Sequence, residues 1–93
     1  MLRITSLTWD EDNIEHISQH RVSPEDVEEV CYSAGKIATR SREGRLAIRG
    51  QTEDGRHLLV VLFPQGSGIY RPITARDLTR QEKSRFMRLR GKK

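Results

Sequence analysis

The stretch Tyr70–Phe86 reads YRPITARDLTRQEKSRF and contains the point where the last predicted strand gives way to the last predicted helix. Its run Thr79–Glu82 fits a capping box, in which a threonine hydroxyl and a glutamate carboxylate satisfy free N–H groups at the start of a helix. Asp77 is a competing cap two residues earlier. Phe86 and Leu89 lie three residues apart and supply a narrow apolar stripe. The stretch therefore predicts a strand, a turn and a helix that begins near this capping box.

Four short segments with strand character precede that helix. In each of them apolar or β-branched residues recur between polar ones, and glycine-containing turns separate the segments. Consecutive strands joined by tight turns predict a four-stranded antiparallel meander. The predicted strands are Lys36–Arg42, Arg45–Gln51, Arg56–Phe63 and Ile69–Ala75, and the turns are Glu43-Gly44, Glu53–Gly55 and Gln65–Gly68.

The first third of the chain predicts a strand followed by two helices. Leu2–Trp9 alternates weakly, and Asp10 can cap a first helix over Asp10–Gln19. Ser23 followed by Pro24 is a strong start for a second helix, which Gly35 would end. Helices segregated from an antiparallel sheet predict an α+β fold in the order strand, two helices, four strands, helix. At this length we expect a single domain over residues 1–93.

The composition is typical of a soluble, basic globular domain. The chain is 34% hydrophobic and 32% charged, with a formal net charge of +4. Its longest apolar run, Leu58–Phe63, is far too short to span a bilayer, and the N-terminus lacks the apolar segment of a signal peptide. We therefore expect a cytoplasmic protein with no membrane partner. The single cysteine, Cys31, has apolar helical spacing with Val27 and Val30, which predicts packing rather than chemistry.

Charge is distributed unevenly along the chain. Residues 1–35 contain two basic and eight acidic residues, a balance of −6, whereas residues 36–93 contain fifteen basic and five acidic residues, a balance of +10. Clustered Lys and Arg bind polyanions because they release counterions from phosphates. Scattered surface charge would be the simpler reading. The clustering favours a nucleic acid as the partner of the second part.

Arginines are concentrated around the strand–helix junction. We expect Arg71, Arg76 and Arg80 to lie at the end of the sheet beside a helix N-terminus, where guanidinium forks and free N–H groups form a phosphate cradle. Arg76 is the leading candidate, because an arginine at a strand end has little use in packing. Arg45 and Arg49, on a neighbouring predicted strand, are further candidates for contact with phosphate or with a transition state.

Three side chains are candidates for proton transfer or for holding the site. His57 lies on a predicted strand, and its unperturbed pKa of about 6.5 suits acid–base chemistry, although a surface residue without a role is equally consistent. His16 and His20 lie four apart on one helical face and could bracket a metal or a phosphate, but such pairs are more often structural. Glu82 could orient Arg76 or accept a proton, yet the capping box explains it without catalysis.

Four ordered segments resemble the BrnT-type toxins of bacterial type II toxin–antitoxin systems, and together they cover Trp9 to Phe86. They include the histidine before Val-Ser, which is His20. The resemblance implies a compact RelE-like ribonuclease that cuts RNA and is neutralised by a cognate antitoxin carrying a DNA-binding domain. The segments are WDEDNIEHISQHRVSPEDVEEV (Trp9–Val30), RLAIRG (Arg45–Gly50), GRHLLVVL (Gly55–Leu62) and ITARDLTRQEKSRF (Ile73–Phe86).

The chain departs from that family at three positions. Arg21 stands where the family usually has glycine after the histidine, Thr74 stands where many members have serine, and Phe86 stands where many have tyrosine.

The residues themselves favour a mechanism without a metal or cofactor. No carboxylate pair suggests a two-metal nuclease, and no Cys/His spacing matches a zinc site. In RNA the neighbouring 2′-OH can act as the nucleophile, so the protein must orient it, neutralise the developing charge and move protons. The antitoxin is then expected to be acidic where it meets the basic residues. The alternatives are a non-catalytic nucleic-acid- or antitoxin-binding module that acts as a co-repressor, and an interaction domain that binds an acidic peptide.

Overall fold

The computed structural model describes residues 2–41 and 43–91. Within these residues the fold is α+β, as predicted, with three helices and one five-stranded mixed sheet. None of these helices has the length and apolar character needed to cross a membrane. The elements are β1 (Ser6–Leu7), α1 (Glu11–Ser18), α2 (Pro24–Tyr32), β2 (Ile37–Arg40), β3 (Leu46–Gln51), β4 (His57–Gly66), β5 (Ile69–Asp77) and α3 (Arg80–Arg90).

The sheet has the strand order β1-β5-β4-β3-β2. Strands β2 to β5 pair with their neighbours in antiparallel fashion, whereas β1 pairs with β5 in parallel, with Ser6 opposite Ile69. The predicted four-stranded antiparallel sheet is therefore incomplete. Local alternation indicates which residues share a face, but it contains no signal for a parallel partner distant in the sequence.

Two predicted boundaries in the first third of the chain are wrong. The strand expected over Leu2–Trp9 is reduced to β1, and the other apolar residues of that segment pack against the core without pairing. Helix α2 ends at Tyr32 because Ser33, its C-cap, is already extended, with φ −74° and ψ 146°. Gly35 therefore does not end the helix. The guanidinium of Arg90 lies over it, and a Cβ there would lie 2.5 Å from Nη2 of this mobile side-chain end.

The strands of the meander also shift at their ends. β2 begins and ends inside the predicted Lys36–Arg42, and Arg42 itself lies outside the described residues. β4 and β5 each run longer than predicted, to Gly66 and Asp77, so that their hairpin closes in a tight turn. Gly68 adopts φ +79° in that turn, a value that glycine reaches without steric cost.

Each of the three described helices begins with a capping box. The N-caps are Asp10, Ser23 and Thr79, each of which accepts the N–H of the residue three positions on. The predictions for all three helix starts are confirmed. Asp77 does not cap α3, because its carboxylate is bound by Arg56 instead.

The sheet separates two layers of helices. Every second residue of β3 and β4, such as Ile48 and Val60, points to the side of α1 and α2 and is fully buried. Helix α2 lies so close to β3 that a Cβ on Gly50 would come within 2.9 Å of Val30 Cγ1. The residues between them, including Arg49 and His57, point to the side of α3 and are partly exposed.

Cys31 lies on the buried side of α2, as predicted, and is 1% exposed. Burial raises the pKa of its thiol to about 12, so the thiol stays protonated at neutral pH. Cys31 therefore contributes to packing.

Candidate functional site

A groove of about 350 Å³ runs between α3 and strands β2 and β3, and we call it the α3 groove. Strand alternation turns Arg49 towards this groove. The helix contributes residues at positions i, i+3, i+4 and i+7, which share one helical face. The lining residues are Ile37, Thr39 and Arg49 from the sheet and Glu82, Arg85, Phe86 and Leu89 from the helix.

Two arginines give the α3 groove its charge. Arg49 donates from Nη1 to the hydroxyl of Thr39 at 3.3 Å. Among the described residues, no carboxylate lies within 4.0 Å of the guanidinium of Arg49 or of Arg85. The groove therefore presents two positive charges that the described protein does not compensate. Sequence reasoning missed Arg85, although its position between Glu82 and Phe86 on one helical face was a usable signal.

Arg76 lies on the same face of the sheet as Arg49. Leu59 in β4 is opposite Arg49 on one side and Arg76 on the other, which places the two arginines two strands apart, about 10 Å at the usual strand spacing. The guanidinium of Arg76 donates from Nη1 and Nη2 to the two carboxylate oxygens of Glu82, at 2.8 and 3.0 Å. Arg76 is thus fixed by a bidentate ion pair to Glu82, which lines the α3 groove.

Of the three possibilities for Glu82, the structure shows the contacts of two, the helix cap and the ion pair with Arg76. Its carboxylate accepts the backbone N–H of Thr79 at 2.8 Å, which completes the capping box, and it also holds Arg76. The hydrogen bonds from Arg76, and then that from Thr79, lower the pKa of Glu82 to about 2. The group is therefore ionised at neutral pH and is better suited to orienting Arg76 than to accepting a proton.

One edge of the Arg76 guanidinium is left over. A guanidinium has five N–H donors, and here Nη1 also donates to the Asp77 carbonyl at 3.0 Å. The Nε–H and the second Nη2–H point the same way and meet no acceptor among the described residues. The side chain as a whole is 38% exposed, and it lines a cavity on the surface. Two parallel N–H groups of this kind can bind a phosphate through two oxygens.

A second cavity of about 480 Å³ lies beside Arg76, and we call it the His20 cleft. The turn after α1 contributes His20 to one wall, and the end of β5 contributes Arg76 to the other. The rings of His16 and His20 lie 6.2 Å apart in an edge-to-face arrangement, although α1 ends at Ser18 and His20 lies in the turn after it rather than on the predicted helical face. Arg76 lines this cleft, and its partner Glu82 lines the α3 groove. The residues of the cleft are Gln19, His20, Arg21, Arg76, Asp77 and Thr79.

His57 lines a third, separate cleft with Leu78 and Lys83. Its ring packs edge-to-face on Phe86, with the centroids 5.7 Å apart. Burial, together with the charges of Lys83 and Arg90, lowers the pKa of His57 and favours its neutral form. The structure therefore gives His57 a protonation state suitable for a base but does not bring it into the cavities beside Arg76.

The predicted arginine cluster is only partly assembled. Arg71 lies five residues before Arg76 on β5, about 16 Å away along an extended strand, and it binds the carboxylate of Asp10 through both terminal nitrogens. This ion pair lowers the pKa of Asp10 to about 2. Arg45 precedes β3 at the end of the strand away from Gln51. Arg80 is the exposed first residue of α3 and remains near Arg76.

Arg56 is a second residue that sequence reasoning missed. It binds Asp77, the residue after Arg76, with Nε 2.7 Å from Oδ1. No local pattern predicts this pair, because Arg56 precedes β4 and Asp77 ends β5, far along the chain. No three His, Cys, Asp or Glu side chains are grouped as a metal site in residues 2–41 and 43–91.

Comparison with known protein families matches residues 9–82 to the family described as "Ribonuclease toxin, BrnT, of type II toxin-antitoxin system". The matched segment includes His20, Arg49, Arg76 and Glu82. Among solved structures, the crystal structure of the Brucella abortus ribonuclease toxin BrnT is similar, with a TM-score of 0.65 and 20% sequence identity over 81% of this chain and 97% of that chain. This likeness concerns the fold. A comparison with curated proteins finds no match.

Proposed function

Because the chain belongs to the BrnT family of ribonuclease toxins from type II toxin–antitoxin systems, we propose that it is a cytoplasmic, RelE-like endoribonuclease whose scissile phosphate binds at Arg76. The observation that carries this proposal is the free edge of the Arg76 guanidinium, which is fixed by Glu82 between the α3 groove and the His20 cleft. Family membership supports RNA as the target and an antitoxin as the partner.

Arg76 is suited to stabilising the transition state. Its end-on fork is occupied by Glu82, so the guanidinium has little freedom to reorient when charge develops on the phosphate. The side-on fork then donates to two phosphate oxygens. A lysine at this position would supply one point charge and could not bind Glu82 and a phosphate through paired donors.

The α3 groove provides a path for the RNA on one side of Arg76. Arg49 and Arg85 would bind neighbouring phosphates there, and Arg80 at the start of α3 would add to the attraction. The apolar side chain of Leu89, which is exposed, offers a surface for a base. The RNA strand would therefore pass from the α3 groove over Arg76 to the His20 cleft.

Cleavage would use the 2′-OH of the substrate as the nucleophile. The oxygen attacks the adjacent phosphorus, and the bond to the 5′ oxygen of the next nucleotide breaks, so no metal-generated hydroxide is required. His20 shares a cleft with Arg76 and is the proposed group for proton transfer. His57 is the alternative, because its lowered pKa keeps it neutral and able to accept a proton.

The chemistry of the cut ends tests this mechanism. Purified protein should cleave end-labelled RNA in EDTA and leave 2′,3′-cyclic phosphate or 3′-phosphate ends. An RNA with a single 2′-deoxy substitution at the mapped cleavage position should resist cutting at that position. Loss of activity in EDTA with recovery in Mg²⁺, or cleavage of the deoxy substrate, would overturn it.

Two matched histidine variants identify the proton-transfer group. His20→Gln should lower the single-turnover rate by about 100-fold, the contribution expected of a general acid or base, whereas His57→Gln should have a much smaller effect. The reverse order would assign the role to His57 and remove the His20 cleft from the active site.

The antitoxin is proposed to cover the same basic face with acidic side chains. Arg49→Glu combined with Arg85→Glu should weaken antitoxin binding by about 100-fold or more, because both changes place like charges opposite each other. Glu25→Lys with Glu28→Lys is the matched control, since these exposed residues lie on α2 on the other side of the sheet. Greater damage from the control pair would place the antitoxin on the acidic helices.

A further inference from the structure

All three nitrogens of the Arg56 guanidinium donate hydrogen bonds, although the side chain lies near the surface. Nε and Nη2 donate to the two carboxylate oxygens of Asp77 at 2.7 and 3.2 Å. Nη2 also donates to the carbonyl of His20 at 2.9 Å, and Nη1 donates to the carbonyl of Arg21. Nη1 lies 3.7 Å from the carboxylate of Asp26. The forked geometry of arginine is what allows one side chain to bind so many groups at once.

These contacts join the end of α1 to the end of β5, two elements that also contact each other farther from the His20 cleft, where Asn13 Nδ2 donates to the carbonyl of Pro72. The carbonyls of His20 and Arg21 follow the last turn of α1, where backbone oxygens lack partners within the helix and a cation is favourable. Asp77 is the last residue of β5, and Asp26 belongs to the capping box of α2. Arg56 therefore ties the turn between the two first helices to the end of the last strand.

The two segments held in this way form opposite walls of the His20 cleft. His20 is part of the turn whose carbonyls Arg56 binds, and Arg76 directly precedes the aspartate that Arg56 binds. Arg56 itself is absent from the lining of the cleft. Its contacts fix the distance between the cleft walls without exposing the guanidinium to a substrate in the cleft.

We propose that Arg56 is a positioning residue, which holds His20 and Arg76 at the separation that the reaction requires. The expected effect on the cleavage rate rests on the proposed function. The expected effect on the separation of His20 and Arg76 does not. Arg56 makes no proposed contact with RNA. Its loss should therefore slow the chemical step while leaving RNA binding almost unchanged.

The test compares Arg56→Met, which keeps the apolar stem and removes the guanidinium, with Arg56→Lys, which keeps the charge and removes the fork. Arg88→Met is the matched control, because Arg88 is an exposed arginine on α3 outside both cavities. In single-turnover cleavage, Arg56→Met should lose about 100-fold in rate with an RNA Kd within about twofold of wild type, as expected for misplacement by about 1 Å. Arg56→Lys should recover only part of the rate, and Arg88→Met should match wild type.

A second readout does not depend on catalysis. The chain has three histidines, whose ring-proton NMR signals can be followed separately. In Arg56→Met the His20 signal should shift and broaden, while in Arg88→Met it should stay as in wild type; His57 is no reference here, because it follows Arg56 in the chain and lines the third cleft with it. If the wild-type protein cleaves no RNA, the proposed function fails, and the His20 signal still decides whether Arg56 positions that residue.

Asp77→Asn provides an independent variant if Arg56→Met does not fold. It keeps the size of the side chain, removes its charge and should shift His20 in the same direction by a smaller amount. An unchanged His20 signal in folded Arg56→Met and Asp77→Asn, or equal weakening of RNA binding and cleavage in Arg56→Met, would overturn the proposal.

Discussion

At the scale of single residues, backbone conformation bears on one position where the resemblance to BrnT-type toxins implies glycine. Arg21 adopts φ +59°, in the left-handed region. A residue with a Cβ pays about 1 kcal/mol in this conformation, whereas glycine reaches it freely. The end of α1 requires this conformation because the N–H groups of Arg21 and Val22 donate to the carbonyls of Ser18 and Ile17, the hydrogen-bond pair with which helices end at a left-handed residue. The side chain at this position is therefore dispensable for the geometry.

Arg21→Gly should raise the free energy of unfolding by about 0.5 kcal/mol. Glycine removes the strain of the left-handed conformation, and this gain exceeds the entropic stabilisation that glycine gives to the unfolded chain. Arg21→Val is the matched control and should lower it by about 1 kcal/mol, since a β-branched residue fits this conformation worst. Urea unfolding followed by circular dichroism measures both. A Gly variant less stable than wild type would show that the arginine side chain itself stabilises the turn.

At the scale of elements, the sequence predicts what is local and misses what is not. All three helix starts were predicted because each capping box lies within four residues. The choice between Thr79 and Asp77 as N-cap depended on Arg56, which lies just before β4 and binds Asp77. The parallel pairing of β1 likewise depends on a strand far along the chain. Long-range contacts of this kind leave no periodic signal in the residues that make them.

Glu82 allows the structural and functional parts of α3 to be separated. Glu82→Gln should retain the capping box, since glutamine also suits this position, but should lose the ion pair to Arg76. The ion pair is partly exposed, so we expect a loss of stability below about 1 kcal/mol, together with a clear loss of RNA cleavage. If Glu82→Gln loses cleavage activity only to the extent that it is unfolded, Glu82 acts only as a helix cap.

The same residue predicts an acid response. The pKa of Glu82 falls from 4.5 to about 2 in the folded protein, mainly because of Arg76, so its stabilising effect is present above pH 4.5 and disappears as the pH drops towards 2. Wild type should therefore lose more stability than Glu82→Gln across that interval, by less than about 1 kcal/mol. Identical pH profiles of the two proteins would contradict the lowered pKa.

At the scale of the whole molecule, the sheet turns a charge imbalance along the chain into an imbalance between faces. The acidic first part of the chain forms α1 and α2 on one side of the sheet, and α3 with its arginines lies on the other. Charge counting predicted the basic half of the chain. It did not predict that Arg71 would bind Asp10, nor that Arg85 would join Arg49 in one groove. Those outcomes depend on which side chains meet after folding.

RNA binding should respond strongly to salt. If Arg49, Arg76 and Arg85 each neutralise one phosphate of a single strand, the logarithm of the binding constant should fall with the logarithm of salt with a slope of about −2. Arg49→Ala should make the slope shallower by about 0.7, and Arg88→Ala should leave it nearly unchanged. Fluorescence anisotropy over a range of salt concentrations provides the slopes. A slope near zero for wild type would mean that the basic face does not bind phosphates.

Arg76 is proposed to bind the scissile phosphate. The most direct test is to measure single-turnover cleavage by Arg76→Ala and to compare it with wild type and with Arg88→Ala. We predict a loss of about 1,000-fold in rate for Arg76→Ala, as for removal of a preorganised transition-state donor, with stability within about 1 kcal/mol of wild type and no loss for Arg88→Ala. Cleavage by folded Arg76→Ala at the wild-type rate would contradict the claim.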